Sequence, residues 1–374
     1  MISERIAAVL RAAPVVDGHN DLPWELRHRG DEVLDLTTDL SATGLHTDLP
    51  RLTAGGVGAQ FWSVFVPCAL PGPAAVQATL EQIAAVYRLI DQHPDRLALA
   101  TTADDMVRAH ESGRIASLLG AEGGHSINGS LSVLEMLHRL GVRYLTLTHN
   151  DNTPWADSAT DVPHVHGLSD FGREVVRTCN RLGVMADLSH TAPATMHATL
   201  DVSRAPAFFS HSSARALCDH PRNVPDDVLV RVRDSGGIVM VTFVPGFLTE
   251  PGRAWFGELV AAEDEITRRV PPDSPTWYAH QRRWVAANPP PRTTVADVAD
   301  HVEHVRAVAG VEHVGLGGDF DGVVVLPDGL GGVDRYPALL EELANRGWSE
   351  ADLRKLGWEN TLRVLRATEA LAER

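Results

Sequence analysis

VRYLTLTHN (142–150) and LSDFGREVVRTCNRLGVMADLSH (168–190) together form a strand, a helix and a second strand, and each strand ends on a histidine. The two strand runs are nearly continuous in apolar residues. They do not alternate, which is the pattern of strands buried on both faces. Between them the sequence has helical period and stops on Gly183, a C-terminal signal.

The same pattern extends outward in both directions. PVVD (14–17), VGAQFWSVFV (57–66), RIASLLGAEGG (114–124), PAFFSHSS (206–213), GGIVMVTF (236–243) and HVGLGGDFDG (313–322) read as further strands. Helical segments fall between them at Val76–Leu89, LSVLEMLHRLG (131–141) and PDDVLVRVRDSGG (225–237). Eight strands alternating with helices predict an α/β fold, a (β/α)8 TIM barrel, with an open doubly wound sheet as the alternative. A helix over Ser3–Ala12 is expected to cover the barrel bottom, and three more helices to follow the eighth strand. The whole chain, 1–374, reads as one barrel domain. Two connections are too long for simple loops, 151–168 after the fourth strand and 244–292 after the seventh. Both leave C-terminal strand ends, so they read as lids or subunit contacts, and the second carries no motif.

Composition narrows the function. Thirty-three basic and 49 acidic residues give a formal charge of −16, against nucleic acid or an anionic membrane as partner. Three cysteines without a CxxC pair argue against a disulfide framework and a thiolate zinc site. The first residues lack a signal-peptide apolar region, the last lack a hydrophobic tail, and no run approaches the roughly 18 apolar residues of a transmembrane helix. The expected location is cytoplasmic. Lys355 is the sole lysine, which disfavours Schiff-base chemistry, a P-loop and a lysine bridging two metals.

The chemistry lies at the strand ends. These carry His19 and Asp21 (DGHND), Glu122 (GAEGGH), His149 (LTHN), His190 (DLSH), His211 (SHSS) and Asp319 (GGDFDG). A closed barrel brings them to one rim. Four histidines and three carboxylates without a thiolate suit zinc, and also cobalt or manganese. The set is too rich for one ion. Two ions about 3.5–4 Å apart need a bridging carboxylate, and Glu122 among glycines is the candidate. His19 and Asp21, two apart on an extended segment, face one way and could chelate a single ion.

Other features carry less. His301 and His304 read as a solvated helix face, and His164 and His166 as loop decoration. Asp234-Ser235-Gly236-Gly237 reads as a turn. GxSxG and HExxH are missing, and GLGGDF does not complete a dinucleotide fingerprint. Trp24, Trp62 and Trp155 read as packing, with Trp155 also a candidate for lining the site.

DGHNDLPW, GGVGAQFWSVFVP, EGGHSI, LTHNDNTPWAD, DLSH, SHSSARAL, RNVPDD and GGDFDG, in this order, resemble the membrane (renal) dipeptidase family of the amidohydrolase superfamily. The likeness runs from about Val16 to Glu369, through the closing YPALLEELANRGWSEADLRKLGWENTLRVL. It implies a binuclear zinc dipeptidase whose nucleophile is a water or hydroxide between the ions. By motif match His19 and Asp21 hold one zinc, His190 and His211 the other, and Glu122 bridges. His149 stabilises the oxyanion, Arg222 in HPRNVPDD holds the substrate carboxylate, and Asp319 shuttles the proton. The implied partner is a small dipeptide, L-Xaa-D-Xaa included, and a homodimer is the assembly to test for. Other reactions known on such metal pairs, on lactones, phosphoesters or N-acyl amino acids, and a catalytically silent binding barrel are the alternatives. Against the secreted, lipid-anchored relatives, this chain shows neither signal.

Overall fold

The computed structural model describes residues 2–28, 34–272 and 274–373. Its parallel strands are β1 (Val15–Asn20), β2 (Val57–Phe65), β3 (Leu97–Leu99), β4 (Ile115–Glu122), β5 (Val142–Thr146), β6 (Met185–Asp187), β7 (Phe208–Phe209), β8 (Ile238–Val241) and β9 (Val314–Leu316). The ring runs β1-β2-β4-β5-β6-β7-β8-β9 and closes where β9 pairs with β1 through Leu316 and Asp17. These are the eight strands expected, and the fold is the closed barrel, not the open sheet. β3 is an addition. It pairs only with the first half of β4, Leu97 facing Ile115, while β5 pairs with the second half from Leu119 onward. Three residues, two of them half-buried, make no apolar run long enough to read.

Strand period decides what fills the barrel. Ala59 and Phe61 of β2, Ala116 and Leu118 of β4, Tyr144, Phe208, and Ile238 and Met240 of β8 belong to one interior cluster. Their neighbours Trp62, Val64, Leu119 and Leu145 pack outward in the larger core. The rings of Phe61, Tyr144 and Phe208 lie 5.4 to 6.1 Å apart and plug the lower barrel. Gly120 makes this possible, because a Cβ there would run into the Tyr144 ring. With the lower barrel packed solid, polar chemistry is confined to the rim.

The helix Glu4–Ala12 closes the bottom as expected. Ser3 donates to Glu341 at 2.5 Å, and Leu10 lies against Gly56 just ahead of β2. After β9 come the α-segments Tyr336–Asn345, Glu350–Arg354 and Asn360–Glu369, the last two joined by a π turn over Lys355–Glu359.

Both long connections carry internal structure among the described residues. Residues 151–168 are tied by bridges Thr153–Ala156, Ala156–Leu168 and Ser158–Thr191. Asp157 accepts backbone N–H bonds of 2.8 to 2.9 Å from His164, Val165 and Gly167. Segment 244–292 forms a short helix, Pro245–Leu248, then a pair, Glu250–Thr267 and Pro275–Ala287, joined by Trp255 against Trp284 at 5.9 Å.

One expectation is corrected. His301 is buried, not solvated. Its Nδ1 accepts from the Ala214 N–H at 3.0 Å and its Nε2 lies 2.9 Å from the Leu248 carbonyl. The helix Val295–Ala309 turns that face onto the loops after β7 and β8, which no periodicity reveals. Trp155 lies in the packed interior, edge-on to Phe171, where it fills the space a Gly124 side chain would need.

Candidate metal centre

Each expected rim residue sits at a strand end. His19 is the fifth residue of β1 and Asp21 follows it directly; Glu122 ends β4. His149, His190 and Asp319 lie just past β5, β6 and β9, and His211 just past β7. His190 and Asp319 have left-handed backbones, φ 67° and 60°. Such conformations cost on the order of 1–3 kcal/mol in non-glycine residues and persist only where surroundings enforce them. The His190 carbonyl is held by Ala159 N–H at 2.8 Å and Thr148 Oγ1 at 3.1 Å.

The side chains converge on Glu122. Its Oε2 lies 3.4 Å from His19 Nε2 and accepts from Ser63 Oγ at 3.1 Å. Its Oε1 lies 3.1 Å from His190 Nε2, 3.5 Å from His211 Nε2 and 3.8 Å from His149 Nε2. Asp21 Oδ2 approaches His19 Nε2 at 3.2 Å, and the Nε2 atoms of His190 and His211 stand 3.0 Å apart. Within this set, His19–Glu122–His211, Glu122–His149–His190 and His19–Asp21–Asp319 are grouped closely enough to hold a metal ion. Asp21 Oδ1 and His19 Nε2 are buried without hydrogen-bond partners. Buried polar atoms are normally satisfied, so convergent lone pairs left bare fit a divalent cation.

Outer contacts orient the imidazoles. Tyr144 Oη lies 2.8 Å from His19 Nδ1. His211 Nδ1 lies 2.8 Å from Ser210 Oγ, which donates to Asp187 Oδ2 at 2.6 Å, and Thr146 Oγ1 donates to the same oxygen at 2.6 Å. With Nδ1 protonated against these partners, Nε2 of each ring presents its lone pair inward. Cys68 Sγ lies 3.3 Å from His149 Nδ1. Sequence reasoning missed Tyr144, Asp187, Ser210, Ser63 and Cys68. Asp187, an acid inside a buried strand, was the one with a readable signal. All three cysteines are free, in line with the expectation of no disulfide framework.

Electrostatics follow from burial. Burial would raise Glu122, but the facing His19 and His149 override it and hold the carboxyl well below its usual range. Burial lowers His149 to about 4, against the pull of Glu122. Burial pushes Asp319 up to about 7, opposed by His19 and reinforced by Asp21 and Glu122. Gly322 keeps this corner open, since a Cβ there would strike the carboxylates of both Asp21 and Asp319.

Arg222 is 3% exposed. Its Nη2 reaches the His211 carbonyl at 3.4 Å and its Nη1 has no partner. Among the described residues it pairs with no carboxylate. Burial lowers it to about 10, with Asp319 and Glu122 countering at longer range. His164 and His166 are exposed on the 151–168 connection, away from these contacts.

Comparison with known proteins agrees with this geometry. The model of the family described as membrane dipeptidase, peptidase family M19, matches residues 3–374. Dipeptidase 3 of Macaca fascicularis is 42% identical over 377 residues, covering 100% of this chain and 68% of its own length. A crystal structure described as dipeptidase AC, a metallopeptidase of family M19, superposes with a TM-score of 0.78 at 28% identity, over 95% of this chain and 98% of that one. A Rhodobacter sphaeroides metallopeptidase liganded with a phosphinate mimic of L-Ala-D-Ala gives 0.75 at 27% identity, over 95% and 99%. Among the described residues no helix is long and apolar enough to cross a membrane. The family's name speaks of a membrane, and the expected cytoplasmic location gains no support from it. Because the match runs nearly end to end and the relatives it finds are dipeptidases, this chain belongs to the membrane dipeptidase family and is a metal-dependent dipeptidase.

Proposed function

We propose that the rim holds two divalent ions, zinc by ligand preference, and hydrolyses dipeptides with a free C-terminal carboxylate, L-Xaa-D-Xaa among them. The observation that carries this reading is the division of Glu122: one carboxylate oxygen faces His19, the other faces His190 and His211. A carboxylate so placed suits one ion on each side. His19 and Asp21 would hold the first and His190 and His211 the second. Bound there, the ions would supply Lewis acidity and a water acidified toward pKa about 7.

The chain's own residues do the rest. Arg222, buried and unpaired, binds the substrate carboxylate and sets the register of the peptide. His149, neutral through burial, donates from Nε2 to the oxygen of the carbonyl under attack. Asp319 takes a proton as the water oxygen bonds to the carbonyl carbon. It returns that proton to the nitrogen as the C–N bond breaks and the amine leaves. The dipeptide-like phosphinate carried by the Rhodobacter relative supports a D-residue at the second position.

The test combines metal analysis of the purified protein with mass-spectrometric detection of amino acids released from L-Xaa-L-Xaa and L-Xaa-D-Xaa panels. Two ions per chain and release abolished by chelator are expected. One ion per chain, or two ions with no release from any dipeptide, would overturn the reading.

A further inference from the structure

Segment 244–292 shows no motif, yet its first turn reaches the site. The helix Pro245–Leu248 places the Phe247 ring under Arg222, with the guanidinium carbon 5.3 Å from the ring centroid. Phe247 is itself held from several sides. The His220 ring lies 4.4 Å from it, tilted 31°, and Phe256 of the next helix meets it edge-on at 5.5 Å. Gly246 leaves the space Phe256 occupies. Asn223 Nδ2 donates to the Phe247 carbonyl at 2.8 Å and to the Cys218 carbonyl at 2.9 Å, stapling the arginine's loop to this helix. His220 Nδ1 accepts the Arg222 backbone N–H at 3.2 Å.

A buried guanidinium without an anion is costly. The negative face of an aromatic ring offsets part of that cost while leaving the N–H groups free for a ligand. We infer that Phe247 is a positioning residue that holds Arg222 charged, oriented and unpaired, and so sets the preference for substrates with a free C-terminal carboxylate. This rests on the proposed carboxylate-binding role of Arg222. Burial and the neighbouring Arg222 hold His220 at about 3, so the ring shared with Arg222 faces a neutral imidazole and not a second cation.

The test compares the metal-loaded protein on a dipeptide and on the same dipeptide C-terminally amidated, with melting temperature checked for every variant. Phe247→Leu is expected to raise KM for the free dipeptide about 3- to 30-fold, the range of a desolvated cation–π contact. It should leave kcat within about twofold and the amide's kcat/KM unchanged. Phe247→Tyr, which keeps a ring face, should restore the wild-type preference. Phe247→Met replaces the Leu variant if the latter melts early. Arg222→Met should erase the preference. An equal loss on dipeptide and amide in Phe247→Leu, or no loss on either, would sink the inference while the reading of Arg222 stands. A preference untouched by Arg222→Met would sink both.

Discussion

The lower barrel and its rim are built from the same strands and differ in everything else. Below, Phe61, Tyr144 and Phe208 interlock as an apolar plug. Above, Glu122, His19, His190 and His211 crowd together with buried atoms left unpartnered and a ligand backbone in the left-handed region. The plug is arranged for stability. The rim gives stability up, because lone pairs aimed at a cation are polar groups buried without compensation until the cation arrives. Tyr144 belongs to both layers: its ring packs below and its hydroxyl meets His19 above.

This contrast can be broken from either side. The largest effects should come from one residue in each layer. Phe61→Ala should cost about 3–5 kcal/mol of unfolding free energy by denaturant titration, the range for buried aromatic truncation. Glu122→Gln should lower kcat/KM by roughly 10³-fold or more, since an amide is a poor bridge between cations. A Glu122→Gln protein with near-wild-type kcat/KM would mean that the carboxylate bridges nothing.

A smaller effect sharpens the rim itself. Asp319→Asn should keep full metal content by elemental analysis yet lose about 10²- to 10⁴-fold in kcat, the range of a general acid–base group. Near-wild-type turnover would remove Asp319 as the proton carrier. Smallest is Tyr144→Phe, which keeps the plug and removes the contact to His19. Metal affinity by competition with a chromophoric chelator should fall about 10- to 100-fold, as for other outer contacts to metal ligands. Melting temperature should move little. A large drop in melting temperature with unchanged affinity would place Tyr144 wholly in the plug.

Much of this was legible before any coordinates. The eight ring strands announced themselves as apolar runs buried on both faces, and six of the rim residues lie at or just past the strand ends where the sequence put them, with His19 inside the end of β1. What escaped had no periodic signature. β3 is three residues long. His301 sits on a helix whose neighbours are loops distant in sequence. The inward orientation of Tyr144 could not be read, because a period of two tells which residues share a face but not which face is inside.

The residue types alone determined the class of chemistry: histidines and carboxylates at the ends of parallel strands, with no cysteine cluster and a single lysine to compete. That conclusion is local, resting on side-chain donor identity and strand period. Tertiary structure decided how those donors divide. The split of the Glu122 oxygens, the Asp187 contact to Ser210 behind His211 and the Phe247 ring beneath Arg222 join residues between 23 and 103 positions apart. Separations of that kind are closed only when the barrel closes, so no window of sequence contains them.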